Sequence, residues 1–417
     1  MSTDTGHNSS SSDGEWAYNE PGKVENWGHL AMHGSVVAAK AMTTAYYEKE
    51  SAYNYYSGCS TGGRQGLKEA EYYPEDFDGI LAGAPAWWTS HLQPWTVKVA
   101  LYNLPTTADY HIPPALFPAI GAEVLKQCDP QDGMKDNTIS DPVGCNFRTE
   151  ELLCAGNVTN ATSTGCLTSP QISTLYKIYT DSIGDNQTFI FPHLYPGSEG
   201  QWLLLSGQEP NSLGTDYVRY FLGLGPDWSF YDYNEDIQRL ADRLQPGNAS
   251  VGFDLSAFNA KGGKILSYHG MADGLIPTGS TPLYYNEVYR TLKPQGVDVE
   301  KFFRFFLVPG MGHCSGTTQS VNAPWYFAGG NQAPALGPTV YGVPGFRDKE
   351  HDALLALVAW VEEGDAPNHI IGTKYVNDKT QAEVLRQRPL CMYPKLAKYK
   401  GNGDVDDAGS WECGLLY

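Results

Sequence analysis

The first hundred residues alternate between apolar positions at helical spacing and short segments of strand formers. Residues 33–50, "HGSVVAAKAMTTAYYEKE", predict a helix, and "SAYNYYSG" after them predicts a strand that ends at Gly58. The segment "GGRQGLKEAEYY" predicts the next helix, and "DFDGILAGAPA" predicts a short buried strand. Strand, helix and strand in this order are typical of a parallel sheet with helices on its faces.

The alternation stops between about His111 and Lys261, where Pro, Gly and Cys are frequent and helical patterns are scattered. It resumes with a predicted strand over Gly263–Gly270, a helix over "TPLYYNEVYRTL" and a strand over Phe302–Gly310. The helix "HDALLALVAWVEEG" follows, with Gly364 where a helix end is expected. We therefore expect a core formed by residues 1–110 and 262–417, interrupted by an inserted domain over residues 111–261.

The charge and hydropathy of the chain exclude two classes of partner. The sequence has 28 basic and 47 acidic residues and a formal net charge of −19, so it would repel a nucleic-acid backbone. The longest apolar run, "ALLALVAWV" at residues 353–361, is far shorter than the roughly 20 residues of a membrane span. We expect neither nucleic-acid nor membrane binding.

Cysteines and glycosylation sequons indicate export. The chain has eight cysteines without a C-x-x-C pair, which favours disulfides over zinc binding. N-x-[ST] glycosylation sequons also favour export; they start at Asn8, Asn157, Asn160, Asn186 and Asn248. The first residues, "MSTDTGHNSSSSDG", contain no signal-peptide pattern. Either a leader lies outside this chain or the secreted location is wrong.

The segment "GCSTG", residues 58–62, matches the G-x-S-x-G pattern of a nucleophilic serine on a sharp turn. The pattern alone also occurs in glycine-rich loops without catalytic function. Here a predicted strand precedes Ser60 and a predicted helix follows it, which is the context that the motif requires. In that geometry the backbone N–H of Thr61 would point towards an oxyanion.

Two later loops supply candidates for a base and its orienting acid. Asp273 follows one predicted strand and His313 follows the next, and the order Ser, Asp, His is that of α/β-hydrolases. Parallel strands collect such residues at their carboxyl ends. Taken singly, Asp273 could cap a loop and His313 could be a surface histidine. His269 is a competing base, but its place at a strand end beside Asp273 favours a structural role.

Cys59 and Cys314 flank the serine and histidine candidates, and a disulfide between them would hold the two loops together. Serine and base must lie about 3 Å apart, so the Cα atoms of their neighbours can fall within the roughly 4.4–6.8 Å that a disulfide requires. Two free buried cysteines are the alternative. Eight cysteines allow 105 pairings. The simplest remaining pairs are neighbours in sequence: Cys128 with Cys145, Cys154 with Cys166, and Cys391 with Cys413.

The segment "CDPQDGMKDNTISDP" contains three aspartates around a glycine. Asp129, Asp132 and Asp136 could supply hard oxygen ligands, and the carbonyls of Met134 and Thr138 could complete a calcium shell. The spacing is not that of an EF-hand, and acidic turns are common without metal. Spacing alone leaves both interpretations open.

The motifs "GCSTGGRQGL", "HGMADGLIP" and "PGMGHCSG", together with the acidic loop, resemble the fungal tannase and feruloyl esterase family. The resemblance covers nearly the whole chain. It implies an α/β-hydrolase-like, mainly parallel sheet whose large disulfide-bearing insertion is a lid, with Ser60 as nucleophile, His313 as base and Asp273 as orienting acid. It also implies the disulfide beside Ser60 and His313, and structural Ca²⁺ in the lid.

The resemblance implies a secreted serine carboxylesterase that acts on small aromatic esters or on plant cell-wall polysaccharide esters. Members of the family carry a signal peptide and several strands before "TDTGH", whereas this chain starts there, so we expect the N-terminal strands to be missing. Two alternatives follow from this expectation: an inactive truncated member, or a calcium-stabilised binding protein for phenolics or polysaccharide.

Overall fold

The structure, a computed structural model, describes residues 3–10, 12–155, 165–318, 321–332 and 342–416. Up to residue 178 the elements are α1 (Pro21–Glu25), α2 (Ala31–Tyr47), β1 (Tyr55–Cys59), α3 (Thr61–Tyr72), β2 (Gly79–Gly83), α4 (Thr89–Leu101), α5 (Phe117–Cys128) and α6 (Ser169–Ile178). The middle of the chain forms β3 (Ser182–Ile183), β4 (Phe189–Phe191), α7 (Ser212–Asp216), α8 (Glu235–Leu244) and α9 (Ser256–Ala260). The last part forms β5 (Lys264–Gly270), α10 (Ser280–Leu292), β6 (Phe303–Val308), α11 (Ala353–Glu363), β7 (His369–Tyr375), β8 (Val384–Cys391), β9 (Leu396–Tyr399) and β10 (Trp411–Gly414).

The central sheet of the described chain has the strand order β1-β2-β5-β6, and all its pairs are parallel. Every residue of β2 is buried and so are most of β5 and β6, because helices cover both faces of the sheet. Strand β1 lies at the edge and is only partly buried. The order confirms the predicted mainly parallel α/β sheet.

Helix α3 connects β1 to β2, and helix α10 connects β5 to β6. Strands β2 and β5 are neighbours in the sheet, although the chain leaves the sheet between them at Gly83 and returns at Lys264. The segment between these two strands contributes most of a separate apolar core, which includes Trp95, Ile120 and Trp202. The boundaries of the inserted domain at residues 111 and 261 remain a prediction.

The helices and strands predicted for the core are present within a few residues of their expected ends. Helix α11 ends at Glu363, and Gly364 after it has a φ of 76°, the left-handed conformation that favours glycine at a helix end. The sequence patterns did not predict the antiparallel pairs β7–β8 and β9–β10 near the C-terminus. In the described ranges, no helix combines the length and apolarity needed to cross a bilayer.

All eight cysteines lie in described residues and form disulfides. Cys59 is bonded to Cys314, with 5.9 Å between their Cα atoms. The other pairs are those of the simplest pairing: Cys128–Cys145, Cys154–Cys166 and Cys391–Cys413. The predicted disulfide between Cys59 and Cys314 is therefore confirmed, and the alternative of two free cysteines is wrong.

Candidate active site

Ser60 sits on a sharp turn between β1 and α3. Its φ of 65° and ψ of −121° are a strained conformation for a residue with a side chain. Two backbone hydrogen bonds maintain it: Ser60 N–H donates to Gly83 O at 2.9 Å, and Ala86 N–H donates to Ser60 O at 3.1 Å. This is the strand-to-helix elbow that the G-x-S-x-G pattern predicts.

The glycines around Ser60 are required because other backbone passes too close for a side chain. A Cβ at Gly63 would lie 2.3 Å from Gly83 O, and a Cβ at Gly58 would lie 2.8 Å from the carbonyl carbon of Gly62. Asn331 also fixes the strand end, since its Nδ2 donates to Gly58 O at 3.1 Å. The turn therefore cannot relax without moving the strands beneath it.

Asp273 and His313 contact each other in the loops that follow β5 and β6. His313 Nδ1 is 2.7 Å from Asp273 Oδ2, and the Asp273 side chain has no solvent exposure. The other carboxylate oxygen, Asp273 Oδ1, accepts hydrogen bonds from the backbone N–H groups of Leu275 at 2.8 Å and Ile276 at 2.9 Å. The carboxylate is thus fixed in orientation and can in turn orient the imidazole.

The contact between Asp273 and His313 lowers the pKa of Asp273 and raises the pKa of His313. Burial alone would raise the pKa of Asp273, but the charge of His313 and hydrogen bonds from His269 and His313 outweigh it and hold that pKa well below its usual range. Burial would lower the pKa of His313, but the charge of Asp273 and its hydrogen bond outweigh it and raise that pKa. Asp273 is therefore ionised at neutral pH, and His313 is a stronger base than an isolated histidine.

His269 is the second imidazole on the same carboxylate. Its Nε2 is 3.0 Å from Asp273 Oδ2, and its Nδ1 is 2.7 Å from Thr281 Oγ1. The ring has no solvent exposure, so no substrate reaches it. These contacts give His269 the structural position expected from the sequence, as a further hydrogen-bond partner of Asp273.

Gln201, from the inserted segment, joins the loops that carry Asp273 and His313. Its Oε1 accepts the backbone N–H of His313 at 2.7 Å and lies 3.4 Å from the N–H of Gly274. The side chain fits only because its neighbours are glycines: a Cβ at Gly312 would lie 2.3 Å from Gln201 Nε2. The role of Gln201 was not predicted from the sequence; Gly274 and Gly312, which face its side chain, were the available signal.

The disulfide between Cys59 and Cys314 brings Ser60 and His313 onto adjacent loops. Each cysteine is next in sequence to its candidate catalytic residue, and the Cα separation of 5.9 Å limits how far the loops can part. Ser60 Oγ and His313 Nε2 make no hydrogen bond to any described residue. Both residues are partly exposed, as a nucleophile and a base must be before substrate binds.

Thr61 begins α3, and its backbone N–H is among the first amides of that helix, which have no intrahelical acceptor. Thr61 also lines a cavity of about 550 Å³ whose walls contain the aromatic rings of Trp16, Trp27 and Phe221. Both indoles pack edge-on against Phe221, with ring centroids 5.2 Å and 5.0 Å away. An aromatic cavity therefore starts at the residue after Ser60.

A buried arginine fixes one wall of that cavity. Arg64 Nη1 donates to Gly28 O at 2.7 Å, and its guanidinium lies 4.7 Å above the Trp27 ring. Burial lowers the pKa of Arg64 to about 10, so it stays charged at neutral pH. The helix that follows the elbow is in this way tied to the aromatic ring of Trp27.

The acidic loop offers oxygen donors that are already partly engaged. Asp129 Oδ1 accepts backbone N–H groups of Asp136 and Thr138, both at 3.1 Å. Asp136 contacts the guanidinium groups of Arg386 and Arg388 through Oδ2, whereas its buried Oδ1 has no partner. In the described chain, the aspartates do not form a group whose ligand atoms all lie within 4.8 Å of one another.

The donor set of this loop nevertheless fits a hard cation. It consists of oxygens, and the unpartnered Asp136 Oδ1 is available to an ion. Asp132 Oδ1 accepts the N–H of Met134 at 2.9 Å, which orients that side chain within the turn. Burial raises the pKa of Asp132, a shift that a bound cation would oppose.

Comparisons with known proteins agree with one another. The sequence profile described as "Tannase and feruloyl esterase" matches residues 1–196 and 226–414. A probable feruloyl esterase B of Aspergillus clavatus is 35% identical over 416 residues, which is 99% of this chain and 75% of the relative.

Two solved structures are similar over nearly the whole fold. The crystal structure of an esterase from Aspergillus oryzae has a TM-score of 0.88 and 35% identity, and the match covers 98% of this chain and 78% of that one. Feruloyl esterase B from the same organism has a TM-score of 0.87 and 33% identity, with 96% and 77% covered.

Proposed function

The chain belongs to the tannase and feruloyl esterase family of carboxylic ester hydrolases, and we propose that it cleaves esters of hydroxylated aromatic acids through Ser60, His313 and Asp273. The observation that carries the proposal is the contact between His313 and Asp273, on a loop that a disulfide links to the Ser60 elbow.

In the first half-reaction Ser60 Oγ attacks the carbonyl carbon of the ester, and His313 Nε2 takes the hydroxyl proton. Asp273 holds Nδ1–H of His313, so that Nε2 presents its lone pair to the serine. The tetrahedral intermediate places its oxyanion at the N-terminus of α3, where Thr61 N–H donates to it. Collapse of the intermediate expels the alcohol, which receives the proton from His313, and leaves an ester of Ser60.

In the second half-reaction a water molecule attacks the carbonyl carbon of this acyl-enzyme, and His313 takes its proton. Collapse returns that proton to Ser60 Oγ and releases the aromatic acid. The disulfide keeps the two reacting loops adjacent through both steps.

The aromatic acid binds in the cavity that starts at Thr61. An ester carbonyl at Thr61 N–H directs its acyl group past Trp16, Trp27 and Phe221, whose rings suit a planar aromatic ring. The cavity volume of about 550 Å³ accommodates one ring with its hydroxyl or methoxy substituents. Gln93 and Asp216 on the same wall offer hydrogen-bond partners for ring hydroxyls.

Hydrolysis of methyl ferulate and methyl gallate by the wild type and Ser60→Ala tests the catalytic proposal. We expect the variant to lose at least 10³-fold in kcat with an unchanged circular dichroism spectrum. Ser57→Ala is the matched control, because Ser57 lies three residues earlier on β1 and hydrogen-bonds to Asn331. Equal rates for the wild type and Ser60→Ala would reject the proposal.

The acyl site is tested separately with Phe221→Leu. We expect a higher KM for methyl ferulate and little change for 4-nitrophenyl acetate, whose acyl group has no ring to bind. Tyr231→Leu is the control, because Tyr231 is an exposed aromatic residue that does not line the cavity. An equal effect of Phe221→Leu on both substrates would place the aromatic acid elsewhere.

We propose that Asp129, Asp132 and Asp136, with the carbonyls of Met134 and Thr138, hold a structural Ca²⁺. The supporting observations are the all-oxygen donor set and the unpartnered Asp136 Oδ1. The ion would take no part in the reaction, since none of these residues hydrogen-bonds to Ser60, Asp273 or His313.

Secretion is part of the proposal and rests on the four disulfides, which persist in oxidising compartments. The sequon asparagines Asn8, Asn186 and Asn248 are exposed, as glycosylation requires. Asn157 and Asn160 lie outside the described residues. Mass analysis of the protein from a eukaryotic host, before and after enzymatic deglycosylation, tests glycan attachment.

A further inference from the structure

A second group of chemically reactive side chains lies at the C-terminal end of α3, whereas the aromatic cavity lies at its N-terminal end. His33 on α2, Glu69 on α3 and Asp76 in the loop before β2 place one ligand atom each within 4.8 Å of the others. His33 Nδ1 is 2.6 Å from Asp76 Oδ2, and the carboxyl group of Glu69 lies beside that of Asp76. Residues from three separate segments therefore converge on one point.

The group contains a buried carboxylate oxygen without a partner. Glu69 is 1% exposed, and its Oε2 makes no hydrogen bond although its carboxyl group faces Asp76. Lys40 is the nearby cation; its Nζ is 3.6 Å from Asp76 Oδ1 and donates to Glu75 O. Lys40 therefore pairs with Asp76, and Glu69 Oε2 is left as a buried oxygen without a partner.

These side chains also attach a poorly buried helix to the core. Val36 is the buried residue of α2, whereas Met42 and Tyr46 on the same helix are 63% and 80% exposed. The polar contacts of His33 and Lys40 with Asp76 and Glu75 therefore carry much of the attachment of α2. The His33 ring is stacked on Tyr73, with 3.7 Å between centroids, which fixes its orientation.

We propose that His33, Glu69 and Asp76 form a binding site for a divalent transition-metal ion of the Zn²⁺ type, which fastens α2 to the core. One imidazole and two carboxylates are a ligand set that Zn²⁺ accepts, with solvent in the fourth position. The absence of C-x-x-C pairs does not bear on this site, because its ligands are histidine and carboxylates distant in sequence.

The geometry accommodates such an ion with a small movement. Tetrahedral ligands about 2.0–2.2 Å from Zn²⁺ are separated by roughly 3.3 Å, so the His33–Asp76 contact of 2.6 Å must open by less than about 1 Å. The His33 side chain is 31% exposed and can supply this movement. The same exposure gives the ion and its solvent ligand a path to the site.

The proposal is tested by titrating metal-free protein with Zn²⁺ in a calorimeter, in the presence of excess Ca²⁺ to saturate the acidic loop. We expect one Zn²⁺ per chain in the wild type and at least a tenfold weaker affinity in both His33→Gln and Glu69→Gln. Glu71→Gln is the control for the second variant, since Glu71 lies on the same helix and pairs with Lys68. It should retain the wild-type affinity within twofold.

Two further measurements make the outcome decisive. His351→Gln removes the histidine of an exposed cluster with Asp348 and Glu350, the other group of this kind in the described chain. If that variant loses Zn²⁺ binding while His33→Gln keeps it, the proposal is overturned. Replacement of Zn²⁺ by Co²⁺ should give the visible absorption of a tetrahedral centre in the wild type and not in His33→Gln. Failure of the folded wild type to bind either ion also overturns it.

Discussion

Replacing Asp273 by Asn isolates the contribution of a single oxygen to catalysis. The carboxylate accepts on both sides: Oδ1 takes the N–H groups of Leu275 and Ile276, and Oδ2 faces the imidazoles of His269 and His313. An asparagine keeps its oxygen at the two backbone donors, so its NH₂ group must face both imidazoles. The side-chain shape is preserved while a hydrogen-bond acceptor becomes a donor.

The consequence for His313 is a change of tautomer. With an NH₂ group 2.7 Å away, Nδ1 must present its lone pair, and the proton moves to Nε2. Nε2 then cannot accept the proton of Ser60. The corresponding change in a Ser-His-Asp hydrolase lowers kcat about 10⁴-fold, which is about 5.4 kcal/mol at 1.36 kcal/mol per factor of ten. We expect a loss of 10³–10⁴-fold here.

The assay compares kcat and kcat/KM for methyl ferulate in the wild type and Asp273→Asn, with near-ultraviolet circular dichroism as the check on folding. Asp348→Asn is the matched control, because Asp348 Oδ1 makes the same 2.7 Å contact with His351 Nδ1 at an exposed site. It should leave kcat unchanged. A loss smaller than tenfold in folded Asp273→Asn would refute the orienting role of Asp273.

Three further predictions concern pH, the disulfide and calcium. Asp273 raises the pKa of His313, and only the neutral imidazole accepts a proton. We therefore expect kcat/KM to rise with increasing pH and to reach half its maximum above pH 6.5. A midpoint at or below pH 6.5 in the pH–rate profile would contradict this. The double variant Cys59→Ala/Cys314→Ala should lose at least tenfold in kcat/KM and also lose thermal stability, because a sequence separation of 255 residues corresponds to about 5–6 kcal/mol of loop-closure free energy. Activity equal to that of Cys391→Ala/Cys413→Ala would show that the bond does not position the loops. Chelation of Ca²⁺ should lower the Tm of the wild type, measured by scanning calorimetry, and should have little effect on the Tm of Asp132→Asn. Equal Tm shifts in the two proteins would show that Asp132 is not a ligand of the ion.

The catalytic candidates could be predicted because each depends on local pattern. A strand, a glycine-rich turn and a helix place Ser60, and the ends of two further strands place Asp273 and His313 at the same edge of a parallel sheet. The sheet order brings β1, β2, β5 and β6 together, so residues more than 200 positions apart in the chain become neighbours. Periodicity and topology were sufficient to predict where these three residues lie in the fold.

Contacts between segments without such periodicity could not be predicted. Asp136 lies against Arg386 and Arg388 from β8, and no pattern in the sequence links these positions. The same holds for His33 and Asp76, which meet only because α2 packs beside the end of α3. The β7–β8 pair was missed because "HIIGTKY" and "VLRQRPLC" lack a regular apolar alternation and are joined by a polar loop.

The side-chain amide of Gln201 couples the inserted segment to the loops that carry Asp273 and His313. Exchanging this segment for that of a relative is an obvious route to a new acyl preference, and it would remove the acceptor that holds the His313 backbone. A chimera that keeps Gln201 and the opposing glycines should retain turnover, whereas one that replaces Gln201 with a bulkier side chain would displace the base. Exchanges of the inserted segment should therefore retain Gln201.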